Sequence, residues 1–187
     1  MKTIAHVVLA TFLFTAWNFI SWTVLPLHSN SLKNLPNDAM EELTMHRELP
    51  TGVYHYPGLP ADNSKDSWNA IAEKLRTGPR ITIMVHRLEG SSLFEFPSLA
   101  MAILFNLITS ILLTILVTRE KKTHSNSLQL ILTSGLIVCF SKALPFLMWF
   151  KFPFDFIVAD LLDTLVPFSL VAFLFYLLQK TRISLHS

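Results

Sequence analysis

Four long runs of apolar residues dominate the hydropathy pattern of the chain. They cover residues 4–25, 97–118, 128–150 and 154–178, and each contains at least 22 residues. An α-helix rises about 1.5 Å per residue, so about 20 residues cross the roughly 30 Å hydrocarbon core of a bilayer. A helix in lipid also satisfies its own backbone hydrogen bonds. The pattern therefore predicts four transmembrane helices, at residues 4–26, 97–118, 128–150 and 154–178.

Composition agrees with this prediction and excludes other classes of protein. Of the 187 residues, 51% are hydrophobic and 15% are charged, whereas a soluble domain has about 25% charged residues. A formal net charge of +2 argues against a nucleic-acid binder, which needs a clustered basic face. The single cysteine, Cys139, excludes a disulfide scaffold. The partner that composition predicts is the lipid bilayer.

Basic residues near the ends of the runs predict the orientation of the chain. They are Lys2, Arg119, Lys121, Lys122, Lys180 and Arg182. Four spans place all of them on one side, which the positive-inside rule assigns to the cytoplasm, together with both termini, the loop 119–127 and the tail 179–187. The first run also resembles a signal peptide, but no A-x-A cleavage site follows it. A polar stripe on that run favours a retained helix: Thr11, Thr15, Asn18 and Trp22.

Residues 27–96 form the only segment that is polar enough to fold in water, and they predict a small α+β cap between helices 1 and 2. Asn37-Asp38 begins a helix through residues 39–43, and residues 53–56 form a strand. Asp66 or Ser67 caps a helix through residues 70–75, which ends at Gly78-Pro79, and residues 81–86 form a second strand. The segment has neither a cysteine nor an N-x-Ser/Thr acceptor. We expect a periplasmic cap, packed on the helices of a bacterial inner-membrane protein.

Three charged residues lie well inside the third and fourth runs, in addition to Asp155 at the start of the fourth. Lys142 lies about 12 Å from the end of its run, and Asp160 and Asp163 lie about 9 and 14 Å from the start of theirs. Only residues 151–153 separate the two runs, so the helices are antiparallel neighbours and Lys142 can meet either acid. Charges within a membrane are costly and are paired or functional.

Two interpretations of these charges remain open. In the structural interpretation, Lys142 pairs with one acid and fixes the helix register, while the other acid is solvated near the outer surface. In the functional interpretation, Asp160 and Asp163 form a proton or cation site beside a kink at Pro167. A further alternative is that Pro145 ends the third helix early and Lys142 reaches the interface.

Small and hydroxyl residues repeat every four positions along the second run. They are Ser98, Ala102, Asn106, Ser110 and Thr114. Such residues allow close approach and hydrogen bonding between membrane helices, so this stripe and the stripe of the first run predict a packed bundle. Gly135 and Cys139 offer a similar contact on the third run. The alternative to helix packing is that these stripes line a polar conduit.

Four histidines fall in residues 27–96 and suggest a metal-binding or catalytic site. They are His28, His46, His55 and His86. Their spacing matches no ligand motif, although Met40, Met45 and His46 suggest a copper site. His28 is the strongest candidate because Pro26 holds it at the membrane exit. No motif for a catalytic residue, a metal ion or a cofactor is present: H-E-x-x-H, C-x-x-C, G-x-S-x-G, the P-loop and G-x-G-x-x-G are absent.

Three loose motifs carry a family resemblance over most of the chain. They are Ser21-Trp22-x-x-Leu25-Pro26-x-His28, Gly52-Val53-Tyr54-x-x-Pro57, and Gly78-Pro79 before a strand with Arg87. The chain thereby resembles small bacterial four-span membrane proteins with no assigned activity, which implies an inner-membrane location. The leading hypothesis is a non-enzymatic accessory or assembly component that binds a protein partner or a second copy. The alternatives are a proton- or cation-coupled transport element and a periplasm-facing metal-binding or catalytic protein.

Overall fold

The computed structural model describes residues 2–25, 27–28, 31–39, 42, 50–60, 62, 64–87, 95–119 and 124–184. The chain divides into two compact units, residues 1–33 with 94–187, and residues 34–93. In chain order the elements are α1 (Lys2–Phe19), a π-helical turn (Ile20–Val24), β1 (Gly52–Tyr56), α2 (Lys65–Thr77), β2 (Ile81–His86), α3 (Phe96–Arg119), α4 (His124–Met148) and α5 (Phe154–Ser184).

The first unit consists of four long apolar helices. Stretches long and apolar enough to cross a membrane are Thr3–Val24, Phe96–Arg119, Asn126–Met148 and Phe154–Leu178. The prediction of four such helices is confirmed, and they fit a multi-pass membrane protein. Helix α4 begins before the predicted residue 128, and it ends at Met148 because Trp149 and Phe150 form a turn. The N–H groups of these two residues donate to the carbonyl of Pro145 at 3.0 and 3.1 Å.

Ring contacts between the helices show which residues of α1 and α5 lie at the same height along the bundle. The Phe14 and Phe168 rings meet edge to face with centroids 5.2 Å apart, and the His6 and Phe175 rings lie 5.0 Å apart. Helix α1 therefore runs antiparallel to α5. Helix α5 also packs along α4, α1 packs on α3, and α3 meets α4 over a shorter stretch.

A cluster of buried apolar side chains, here called the apolar layer, fills the half of the bundle that contains the start of α1 and the end of α5. Its members are Ala10, Phe14, Leu113, Val117, Ile131, Phe168, Val171, Ala172 and Phe175. Burial of such side chains is favourable in proportion to the apolar area that leaves the solvent, and close packing adds dispersion energy. In lipid the packing contribution dominates, because lipid tails are as apolar as these side chains.

Gly135 lies at a close approach of α4 to α5. A Cβ atom at this position would lie 2.8 Å from the Phe168 Cβ, which cannot rotate away. We expect Gly135→Ala to lower the stability of the protein in detergent by about 1–3 kcal/mol, the usual cost of overpacking. Thermal unfolding followed by size-exclusion chromatography measures this. Ser141→Ala, on the exposed face of the same helix, is the control. Equal stability of Gly135→Ala and the wild type would contradict the close approach.

The second unit contains a two-stranded antiparallel sheet and helix α2. Gly52 lies opposite His86 and Val53 opposite Val85, and the register shifts between Tyr54 and Tyr56. Both strands occur where the sequence predicts them. Residues 37–39 and 42 of the predicted first helix are helical, whereas Met40, Glu41 and Leu43 lie outside the described residues.

The ends of α2 differ from the prediction at one position. Neither Asp66 nor Ser67 caps the helix: Ser64 does, and its Oγ accepts a hydrogen bond from the Ser67 N–H at 3.2 Å. Ser64 has the extended backbone that a cap requires, whereas the other two residues are already helical. Hydrogen bonds, chiefly from the Ser64 side chain, hold the pKa of Asp62 at about 2. Gly78 ends the helix with a φ of 68°, which only glycine adopts without strain.

Candidate functional site

Polar side chains form a group of three and an ion pair in the half of the bundle that contains the end of α1 and the start of α5. Asp163 binds Ser21 and His28, and Asp160 binds Lys142. These five residues, together with Thr164, are here called the polar layer. The contact between Phe14 and Phe168 belongs to the apolar layer and lies at a different height along α1 and α5 from the polar residues. The polar layer therefore lies beside the apolar layer and does not overlap it.

Asp163 is the centre of the group of three. The Ser21 hydroxyl donates to its Oδ1, and Nε2 of His28 lies 2.8 Å from its Oδ2. Ser21 is fully buried, and the side chains of His28 and Asp163 are only 8% and 12% exposed. A buried carboxylate is costly unless its oxygens are hydrogen-bonded. Here both oxygens have partners, so Asp163 joins α5 to the π-helical turn that follows α1 and to His28.

The π-helical turn places Ser21 at this position. The N–H of Leu25 donates to the carbonyl of Ile20 at 2.9 Å, five residues earlier, as a π-helix requires. Such turns insert an extra residue into a helix and often occur at functional sites. The chain then leaves the helix, and His28 folds back to the Asp163 side chain.

Two aromatic rings shield His28 from solvent. The Trp22 ring stacks on the imidazole with centroids 3.9 Å apart and an interplanar angle of 15°, and the Phe156 ring lies 6.2 Å away. The Nδ1 atom of His28 is buried and has no hydrogen-bond partner among the residues that the structure describes. Stacking therefore fixes the plane of the imidazole, and Asp163 fixes its orientation within that plane.

The contacts of Ser21, His28 and Asp163 differ from those of a catalytic triad. In a triad, the serine binds one imidazole nitrogen and the aspartate binds the other. Here Ser21 and His28 both bind the carboxylate, so the imidazole does not accept the serine proton. The arrangement holds a carboxylate in place and does not activate a nucleophile.

Lys142 and Asp160 form the ion pair. The Nζ of Lys142 lies 2.8 Å from Oδ1 of Asp160 and 3.4 Å from the hydroxyl of Thr164. The Lys142 side chain is 42% exposed, whereas that of Asp160 is 16% exposed. The pair therefore has one partner inside the bundle and one at its surface.

The second acid is not solvated, contrary to the structural interpretation of the sequence, because Asp163 is bound by Ser21 and His28. Successive helix positions are rotated by about 100°, so Asp160 and Asp163 lie about 60° apart around α5. That angle is large enough for Asp160 to face α4 and for Asp163 to face the π-helical turn and His28. The alternative that Pro145 ends α4 early is also wrong, since Pro145 lies inside the helix.

The two polar stripes meet at one hydrogen bond. The Asn106 amide donates to the Thr15 hydroxyl at 3.1 Å and links α3 to α1. The hydroxyls of Thr11, Ser110 and Thr114 instead donate to carbonyls four residues earlier in their own helices. Ser98 donates to Glu95 at the start of α3, and Asn18 is half-buried.

Within the second unit, the predicted histidines His55 and His86 lie at different positions of the sheet. In the second unit, Nδ1 of His55 lies 3.1 Å from the carbonyl of Pro57, and His86 lies opposite Gly52 in the sheet. His46, Met40 and Met45 lie outside the described residues. Within the described residues, no three His, Cys, Asp or Glu side chains form a cluster that could hold a metal ion.

Sequence reasoning missed the role of Ser21 and Trp22. Both residues occur in the motif that carries the family resemblance, but nothing in their spacing connects them to Asp163, which lies 142 positions after Ser21. Comparison of the chain with protein-family models, with curated protein sequences and with solved structures finds no match.

Proposed function

We propose that this protein is a non-enzymatic, multi-pass membrane protein that acts as an accessory or assembly component of a membrane complex. The observation that carries the proposal is the Lys142–Asp160 pair, whose lysine is 42% exposed on a bundle surface that is otherwise mainly apolar. A charge within the hydrocarbon region costs about 2.5–3.5 kcal/mol even on insertion scales. A polar group of a partner helix would cover this charge.

The position of Lys142 supports a contact within the membrane. Six residues separate it from the end of α4 at Met148, which corresponds to about 9 Å along the helix axis. Asp160 holds its Nζ against α5, so the ammonium group is oriented along the surface of the hairpin. Charged or polar groups from two membrane helices commonly pair across such a surface.

Location and orientation are part of the same proposal. Basic residues flank the apolar spans on the side of the 119–123 connection and of the last turns of α5. We infer that both termini are cytoplasmic and that residues 27–96 are periplasmic in a bacterial inner membrane.

The test is co-purification after extraction in a mild detergent. We expect a partner at a fixed stoichiometry with the wild type, and its loss when Lys142→Asp is combined with Asp160→Lys. The exchange preserves the pair within the hairpin but reverses the charge at the surface. Lys151→Asn removes a positive charge from the exposed α4–α5 connection and should retain the partner. A folded, charge-exchanged protein that keeps the partner would overturn the proposal.

The second candidate function is a proton- or cation-coupled transport element. The observation that favours it is the pair of carboxylates on successive turns of α5, with His28 bound to one of them through a single ring nitrogen. Histidine and carboxylate chains relay protons in membrane transporters. Proton uptake into proteoliposomes that disappears in Asp163→Asn, while the folded yield is retained, would favour this candidate over the interaction role.

A further inference from the structure

Helix α2 carries an apolar face that remains exposed. Trp68, Ile71, Ala72 and Leu75 recur with the spacing of one helix face, and no residue of α2 is buried. The Trp68 and Leu75 side chains are 49% and 46% exposed. Exposed apolar faces of this kind mark sites of contact with a protein or a membrane.

The other described elements of the second unit do not cover this face. Strands β1 and β2 pair with each other, and α2 makes no extensive packing contact with either strand within the described residues. A helix of 13 residues has marginal stability in water without a surface on which to bury its apolar face. The covering surface must therefore come from outside these elements.

Charged residues around α2 identify the chemistry of that surface. At about 100° per residue, Lys65 and Arg76 flank one edge of the apolar face and Lys74 flanks the other. The acids Asp66 and Glu73 lie on the opposite side of the helix. Nη2 of Arg76 lies 2.6 Å from Oε1 of Glu73, and this contact lowers the pKa of the Glu73 carboxyl. Basic edges beside an apolar face with a tryptophan are typical of helices that lie in a membrane interface.

We propose that α2 lies in the headgroup region of the bilayer that the four long helices cross, with Trp68, Ile71 and Leu75 directed toward the acyl chains. The chain enters and leaves the second unit from helices of membrane-spanning length, so its connections keep α2 near a bilayer. The lysine side chains at the edges of the helix extend their charges to lipid phosphates while their methylene groups stay in the apolar region. Membrane binding then supplies the burial that the sheet does not supply.

The test compares two alanines on opposite sides of α2. Both Ala70 and Ala72 are exposed, so neither substitution disturbs packing. Ala72 lies on the apolar face and Ala70 lies opposite to it. Each is replaced by cysteine in the full chain with Cys139→Ala, spin-labelled, and reconstituted into nanodiscs of phosphatidylcholine and phosphatidylglycerol. Collisions with oxygen, which concentrates in lipid, and with a water-soluble nickel chelate are then measured.

We expect the ratio of oxygen to nickel accessibility to be several-fold higher for Ala72→Cys than for Ala70→Cys. Equal and high nickel accessibility at both positions would place α2 in water and overturn the proposal. Protection of position 72 from both reagents would mean that protein, either a second copy or another segment of this chain, covers the face. That result would also overturn it.

Discussion

Replacing Asp163 by leucine is expected to lower the stability of the protein by about 2–4 kcal/mol, the largest effect of any single substitution in the polar layer. The substitution leaves the Ser21 hydroxyl and the His28 ring nitrogen buried without an acceptor. An unsatisfied buried polar group costs about 1–3 kcal/mol. Two such groups are left unsatisfied, so their costs add. Hydrogen bonds within membranes contribute less on average, and we therefore expect a total in the lower part of the range that this sum gives.

The measurement is the fraction of monodisperse protein that remains after heating in detergent. Asp155→Leu is the matched control, because Asp155 lies at the exposed start of the same helix and its Oδ1 accepts from the neighbouring Phe156 N–H. We expect the control to change stability by less than about 1 kcal/mol. If Asp163→Leu and Asp155→Leu retain the same fraction, Asp163 does not join α1 to α5.

A double-mutant cycle separates the coupling of His28 and Asp163 from their individual effects. Groups in one hydrogen-bonded network couple by about 0.5–3 kcal/mol, whereas distant sites are additive. We expect His28→Ala to have little further effect once Asp163 is leucine, because the imidazole has already lost its acceptor. Additive losses would show that Trp22 stacking, and not the carboxylate, holds His28.

Neutralising Lys142 is expected to destabilise the protein more than neutralising Asp160 does. Lys142→Met leaves the 16% exposed Asp160 carboxylate without its cationic partner. Removal of one partner from a buried pair costs about 3–5 kcal/mol, and we expect about 2–3 kcal/mol here because the pair is partly exposed. Asp160→Leu leaves a lysine that is 42% exposed and can extend toward polar surroundings, so its effect should be smaller.

The double variant Lys142→Met with Asp160→Leu tests the origin of this difference. Replacing an ion pair by apolar residues of similar size is often neutral or stabilising. We therefore expect the double variant to regain most of the stability that Lys142→Met loses, as measured by thermal unfolding in detergent. Failure to recover would mean that Lys142 acts through contacts other than Asp160.

The sequence predicts those parts of the fold that depend on local pattern. Long apolar runs identify the four helices, and β-branched residues identify the strand at residues 81–86. Lys142, Asp160 and Asp163 lie at similar depths on a short hairpin, so the sequence predicts that Lys142 pairs with Asp160 or with Asp163. In the structure its partner is Asp160. Each of these inferences uses residues that are close along the chain.

The pairing of His28 with Asp163 could not be predicted in this way. These residues are 135 positions apart, and their contact depends on how α1 lies against α5 and on a π-helical turn that no sequence period reveals. Both residues are prominent as single candidates, but the sequence assigns them to different hypotheses. The cap of α2 differs for a local reason: Ser64, Asp66 and Ser67 all suit a helix start, and backbone conformation decides among them.

The ion pair and the group of three in the polar layer can form at different stages of synthesis. Lys142 and Asp160 belong to one hairpin, so they can neutralise each other as soon as α4 and α5 enter the bilayer together. Ser21 and His28 are made near the beginning of the chain and must wait for Asp163, which arrives with the last of the four long helices. These contacts can therefore form only after α5 has been made, and until then the segment that follows α1 lacks its anchor to α5.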